Sequence, residues 1–185
     1  IARELRNRRH QGFVILSLGI LHHDQGRRDE ARAEYEDALA VSREVGDRRI
    51  EGIVLSRLGG LHGEECRFKE ARSHYEAAQA LAREVGYRRL EGVVLGGLGD
   101  LLAKQGRVSE ALDALRAGEA LLREVSDREE LAKLLCILGR AEADAGERAR
   151  ACAALAEAES FATAMGSAPD TDLGREIALL REVLA

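Results

Sequence analysis

The chain repeats itself every forty residues, and nothing else in it restricts the fold so tightly. Leu18-Gly19, Leu58-Gly59, Leu98-Gly99 and Leu138-Gly139 fall in register. Twelve residues after each glycine comes an alanine: Ala31, Ala71, Ala111 and Ala151. Four further on stand Tyr35, Tyr75, Leu115 and Leu155, and three beyond those Ala38, Ala78, Gly118 and Ala158. The segment Arg43 to Arg49 recurs as Arg83 to Arg89, with Tyr87 for the aspartate, and again as Arg123 to Arg128, with Ser126 for the glycine. A unit this short cannot bury its apolar face alone, so neighbouring units must stack.

Each copy reads as two helices. Val14, Ile15, Leu18, Leu21 and His22 share one face at helical spacing. Gly26, Gly106 and Gly146 follow the first helix and can take the left-handed conformation that ends it. Cys66 replaces that glycine in copy two, which predicts a strained or differently shaped turn. The second helix is predicted from about Asp29 to Val45, with Ala31, Tyr35, Ala38 and Val41 or Ser42 buried and Gly46 beyond its end. Asp47 and Asp127 are placed to cap the next helices, Asp127 with Glu130 three residues on. The glycines at 19, 59, 99 and 139 are expected to let the partner helix approach closely, with the alanine twelve residues later lying opposite.

The boundaries follow the period: 7–46, 47–86, 87–126 and 127–166. Residues 1–6 align with the end of a second helix, and the chain opens without methionine. They are therefore expected to be the end of a truncated preceding repeat. Pro169 breaks the pattern, and residues 167–185 read as a linker and a terminal capping helix. Asp170, Thr171 or Asp172 would be its N-cap, with Ile177, Leu180, Val183 and Leu184 on its packing side.

Composition agrees. Of 185 residues, 45% are hydrophobic and 33% charged, which argues against disorder. Six aromatics and one proline are too few for a β-sandwich or barrel. Nineteen glycines exclude one long coiled coil, since each costs a helix interior about 1 kcal/mol. The longest apolar stretch, Gly12 to Leu21, is too short for a membrane span, and no signal peptide is visible. Three scattered cysteines (Cys66, Cys136, Cys152) suggest reduced thiols and a cytoplasmic setting. A net charge of −5 gives no general attraction for nucleic acid.

Leu-Gly, alanine, tyrosine and alanine at positions seven, eight, twenty, twenty-four and twenty-seven, counted from Gly12, resemble the tetratricopeptide repeat over residues 7–166. Forty residues per copy is the longer variety, similar to kinesin light chains, animal cell-polarity adaptors and bacterial regulators. The Arg-x-x-Glu-Gly opening (Arg48 to Gly52, Arg88 to Gly92) and the Gly-Arg-x-x-Glu-Ala turn (Gly26 to Ala31, Gly106 to Ala111) look most like the bacterial group. The usual tryptophan at position four and proline at thirty-two are absent. Copy four departs further, with Glu142 at an apolar column and Arg150 where the other copies have glutamate. HEAT and armadillo repeats share the length but call for proline-bearing or three-helix units. The resemblance implies an all-α right-handed α-solenoid, a protein-interaction scaffold or sensor in a larger protein, no cofactor and no catalysis. Self-association is the alternative.

No P-loop, nucleophile elbow or zinc-ligand spacing is present. His22-His23-Asp24 hints at a metal, but His22 aligns with His62 at a packing column, so packing is the better reading. Cys136 reads as a buried bystander. The pairs Arg8-Arg9, Arg48-Arg49 and Arg88-Arg89, then Arg128, form either a basic stripe or a ladder with glutamates of the same period. Overall acidity favours the ladder.

The resemblance also implies a concave ligand face on each first helix. Carried over, it comprises Phe13, Leu16, Ser17, Ile20, His23 and Asp24 in copy one, and Ile53, Ser56, Arg57, Gly60, Gly63 and Glu64 in copy two. Copy three contributes Val93, Gly96, Gly97, Asp100, Ala103 and Lys104, and copy four Lys133, Cys136, Ile137, Arg140, Ala143 and Asp144. Phe13, Leu16 and Ile20 are equally placed to contact a preceding repeat. Arg57, Lys104, Lys133 and Arg140 suggest a peptide whose apolar residues lie near copy one and whose carboxylates lie near copies three and four.

Overall fold

The computed structural model describes the backbone from Ala2 and the side chains from Asn7 to Ala185. The reading of residues 1–6 as the end of a preceding repeat lies outside these described side chains. Nine helices and no strand are present among the described residues: α1 (Ala2–Asp24), α2 (Arg28–Glu44), α3 (Arg48–Glu64), α4 (Phe68–Glu84), α5 (Arg88–Lys104), α6 (Val108–Glu124), α7 (Arg128–Asp144), α8 (Arg148–Met165) and α9 (Asp172–Leu184). The fold is all-α, of the α-solenoid kind built from antiparallel helix hairpins.

The turns explain the period. Gly26, Gly46, Gly86, Gly106, Gly146 and Gly166 all have φ between 65° and 78°. Past Gly46, the Asp47 amide donates to the Ser42 carbonyl at 2.8 Å, closing the helix end. Cys66 and Ser126 hold the same left-handed conformation, at φ 58° and 56°. The Arg67 amide reaches the His62 carbonyl at 2.9 Å in the same way. Copy two thus keeps the turn shape and carries it on a strained residue.

Helices α3, α7 and α9 start on side-chain caps. The Asp47 carboxylate accepts from the Ile50 amide, Asp127 from Glu130, and Thr171 from Gly174. Helices α2, α4 and α6 start at Arg27, Arg67 and Arg107 with no side-chain cap. Each of these arginines instead pairs with the glutamate three residues on, which also lies favourably at the positive helix end. In copy four the polarity is inverted: Arg150 donates to Glu147 at 2.5 Å. The apparent departure at Arg150 is a charge swap with its partner.

The glycine column is where helices meet. A Cβ on Gly19 would lie 2.7 Å from the Tyr35 ring, on Gly59 2.9 Å from Tyr75, and on Gly99 2.7 Å from Leu115 Cδ2. The knob over each glycine is therefore the tyrosine or leucine sixteen residues on, with the alanine's carbonyl behind it, at 3.3 Å for Ala111. Copy four differs again, since Leu180 of α9 fills the space over Gly139.

The chain divides into two compact units, residues 1–90 and 91–185. The core of the first includes Leu16, Tyr35, Val54, Leu58 and Leu61. Val14, Leu18 and Leu21 on α1 are exposed, whereas the matching Val54, Leu58 and Leu61 on α3 are buried under α1 and α2. The second unit is centred on Leu115, Leu122, Leu134, Leu138, Ile177 and Leu180. Helix α9 packs on α7 and α8 through Leu173, Ile177 and Leu180. Val183, expected on the packing side, is exposed, because the buried stripe begins at Leu173 and runs along a different line of the helix.

Candidate functional site

The candidate columns separate by burial. Position five is packed in every copy: Leu16, Ser56, Gly96 and Cys136 are all buried. A Cβ on Gly96 would already lie 3.3 Å from Leu134 of the following first helix. Buried as they are, these four present little surface to a ligand. Phe13, Arg57 and Lys104 are exposed, and Ile20, His23, Ile53, Gly60, Val93, Asp100, Lys133 and Arg140 are half-buried. The candidate positions that a ligand could reach therefore narrow to the others.

In the first unit one of these positions, His23, meets Glu64. His23 Nε2 lies 2.9 Å from its carboxylate, and Arg28 donates to the other oxygen at 3.2 Å. Donating to Glu64 holds the His23 pKa above its ordinary value, and accepting that bond holds Glu64 below the usual carboxylate range. Tyr35 lies edge-on to His23, with ring centroids 6.4 Å apart. Its buried hydroxyl has no hydrogen-bond partner, and burial pushes its pKa up to about 12. Arg57 has no ion-pair partner among the described residues.

In the second unit an open depression of about 590 Å³ lies between α5, α7 and α9. Asp100, Ala103 and Lys104 come from α5; Ile137, Arg140, Ala141 and Asp144 come from α7. Helix α9 adds Glu176, Leu179, Glu182 and Val183. None of the α9 residues is among the sequence candidates, because α9 lacks the Leu-Gly signature that fixes the columns. The visible signal was Leu179 and Val183, one turn apart on an amphipathic helix. Arg140 donates to Glu176 at 2.5 Å and has Asp100 at 3.8 Å, while Lys104 pairs with Asp100 at 2.7 Å. Lys133 pairs with Glu129 at 2.8 Å; burial pulls its pKa down, but Glu130 and Glu129 outweigh that and hold it above the ordinary lysine value. The cations expected to form a basic end are thus internally neutralised.

The arginine edge is a ladder in the first unit. Arg8 pairs with Glu44, Arg9 with Asp47, and Arg48 with both Glu51 and Glu84. Arg49 stacks on Tyr87 at 3.9 Å. His62 packs between helices, stacked on His74. Cys136 is sealed, and burial pushes its thiol up to about 12. No group of three His, Cys, Asp or Glu that could hold a metal occurs among the described residues. No described helix is long and apolar enough to cross a membrane.

These hairpins, with Leu-Gly on the first helix and alanine, tyrosine or leucine on the second, match the family model described as "Tetratricopeptide repeat" over residues 11–84 and again over 51–124. The chain belongs to the tetratricopeptide repeat family. Two solved structures share its fold. Aspartyl phosphate phosphatase F from Bacillus subtilis superposes with a TM-score of 0.77 at 13% identity, over 95% of this chain and 45% of that one. BtubC (BKLC) from P. vanneervenii superposes with a TM-score of 0.67 at 22% identity, over 85% of this chain and 65% of that one. The chain spans less than two thirds of the length of either protein. No curated protein matches its sequence. Tetratricopeptide repeats place this chain among protein-interaction scaffolds.

Proposed function

We propose that this tetratricopeptide array binds a segment of a partner protein along the exposed columns of its first helices, as the adaptor or sensor part of a larger bacterial regulatory protein in the cytoplasm. The observation that carries the reading is the depression between α5, α7 and α9. It is open, mixed in polarity, and of a size that accepts several side chains. The function is binding without catalysis, and Cys136, the one cysteine among the candidate positions, is buried and held as a thiol.

The test is site-specific photo-crosslinking in the host cell. A photoreactive residue at Ile137 or Gly97, on the groove, should trap a partner that the same residue at Arg116 or Arg72, on outer helices, does not. Equal trapping from both faces would sink the concave-face reading.

A second reading has its own observation. Val14, Leu18 and Leu21 form an exposed apolar stripe on α1, and their counterparts on α3 are core residues. Two copies meeting on this stripe would make a self-association module. Sedimentation equilibrium decides it: a dimer converted to monomer by Leu18→Glu supports the reading, and a monomeric wild type ends it.

A further inference from the structure

The depression in the second unit has a charge pattern that names its occupant; this deepens the peptide-groove reading and rests on it. Six charged side chains line it: Asp100, Lys104, Arg140, Asp144, Glu176 and Glu182. Four carboxylates against two cations leave a net charge of −2. Both cations are engaged within the wall, Lys104 by Asp100 and Arg140 by Glu176 and Asp100. Asp144 and Glu182 have no ion-pair partner among the described residues. Between the charges lie Ile137, Ala141, Leu179 and Val183, and the last two are 47% and 46% exposed.

We propose that this depression takes a segment of a partner protein in which a large apolar side chain is flanked by lysine or arginine. The apolar side chain covers Leu179 and Val183, removing their surface from water, which is the main drive for association. The flanking cations meet Asp144 and Glu182, which supply orientation and faster encounter more than raw affinity. An acidic segment is disfavoured twice: it faces two unpaired carboxylates, and it must break the Arg140–Glu176 bond to find a cation. This reverses the polarity that Lys104, Lys133 and Arg140 suggest when read as sequence alone.

Random peptides displayed on phage supply the probe, selected on the full 185-residue chain. The same selection is run on the Asp144→Lys/Glu182→Lys double variant and on Leu179→Asp. All three substitutions are at exposed positions, and circular dichroism melts check that each variant folds. The wild type should enrich peptides carrying a large apolar residue beside lysine or arginine. Synthetic copies of these should bind the double variant about tenfold or more weakly, and the gap should close as salt is raised through the Debye-screening range. Leu179→Asp should lose them as well. Enrichment of acidic peptides, or equal binding to the double variant, overturns the inference; if Leu179→Asp still abolishes that binding, the groove reading stands. Peptides indifferent to all three substitutions, or no enrichment at all, overturn the groove reading together with the inference.

Discussion

Gly99 leaves no room for a side chain. Its missing Cβ would press on Leu115 Cδ2 at 2.7 Å and on the Ala111 carbonyl at 3.3 Å, so any larger residue must push two helices apart. Gly99→Leu should cost about 1–3 kcal/mol, read as a lower urea midpoint at unchanged slope. Cys66 and Ser126 present the opposite case. Each occupies the left-handed conformation that glycine holds at every other turn of the array. Cys66→Gly should relieve about 1–2 kcal/mol of steric cost against about 0.5–1 kcal/mol of added chain entropy, for a small net gain. A lower melting temperature would show that the turn is unstrained. At this scale the sequence was half legible. That Gly19, Gly59 and Gly99 are contact points follows from the period, but which side chain sits on them does not. Tyr35, Tyr75 and Leu115 lie over the glycines because they project one turn beyond the alanines, a detail of helix phase that spacing leaves open.

Helices were more legible than single contacts. Apolar spacing and the Asp47 and Asp127 caps define the starts of α3 and α7, and the left-handed glycines define most of the ends. Helix α9 was read less well. Its cap, Thr171, stands 44 residues after Asp127 instead of forty, so its faces fall out of phase with the columns. That offset turns Leu179 and Val183 outward and makes α9 a wall of the depression as well as a cap. Helices α3 and α4 also carry a pH response. The rings of His62 and His74 stack at 5.1 Å and 6°, and burial holds both pKa values below the ordinary 6.5. Arg32, Arg43, Arg67 and the second histidine push the same way, against Glu36, Glu65 and Glu70. As pH falls through 6.5 the unfolded chain binds these protons first, so their effect is a loss of stability on the acid side. His23 has the opposite sign. Its raised pKa contributes stability that is full below 6.5 and fades as pH rises through the folded value. Melting temperatures across pH 5–8 should fall less steeply towards acid in His74→Phe than in the wild type, and more steeply in His23→Gln. Parallel curves would mean that the stack does not govern the acid response.

At the scale of the whole molecule, charge is abundant but weakly coupled to stability. Arg8–Glu44, Arg27–Glu30 and Arg67–Glu70 join side chains that are all about half exposed, and water screens such pairs so that they add little to stability. High salt should therefore move the melting temperature by only a few degrees, while Leu180→Ala, which empties the space over Gly139, should cost about 2–5 kcal/mol. A large salt effect with a mild Leu180→Ala would place the stability in the ladder instead. The all-α architecture and the forty-residue unit were both readable from the period, because stacking imposes the same demand on every copy. The depression was not, since it depends on which cations close on which carboxylates and on a helix outside the period. The cysteines have a practical consequence. Cys66 lies on the surface of one unit, Cys152 on the surface of the other, and Cys136 is sealed in the core. A thiol-reactive spin label would thus attach once to each unit of the unmutated protein, giving a built-in molecular ruler for any rearrangement that a bound partner brings about.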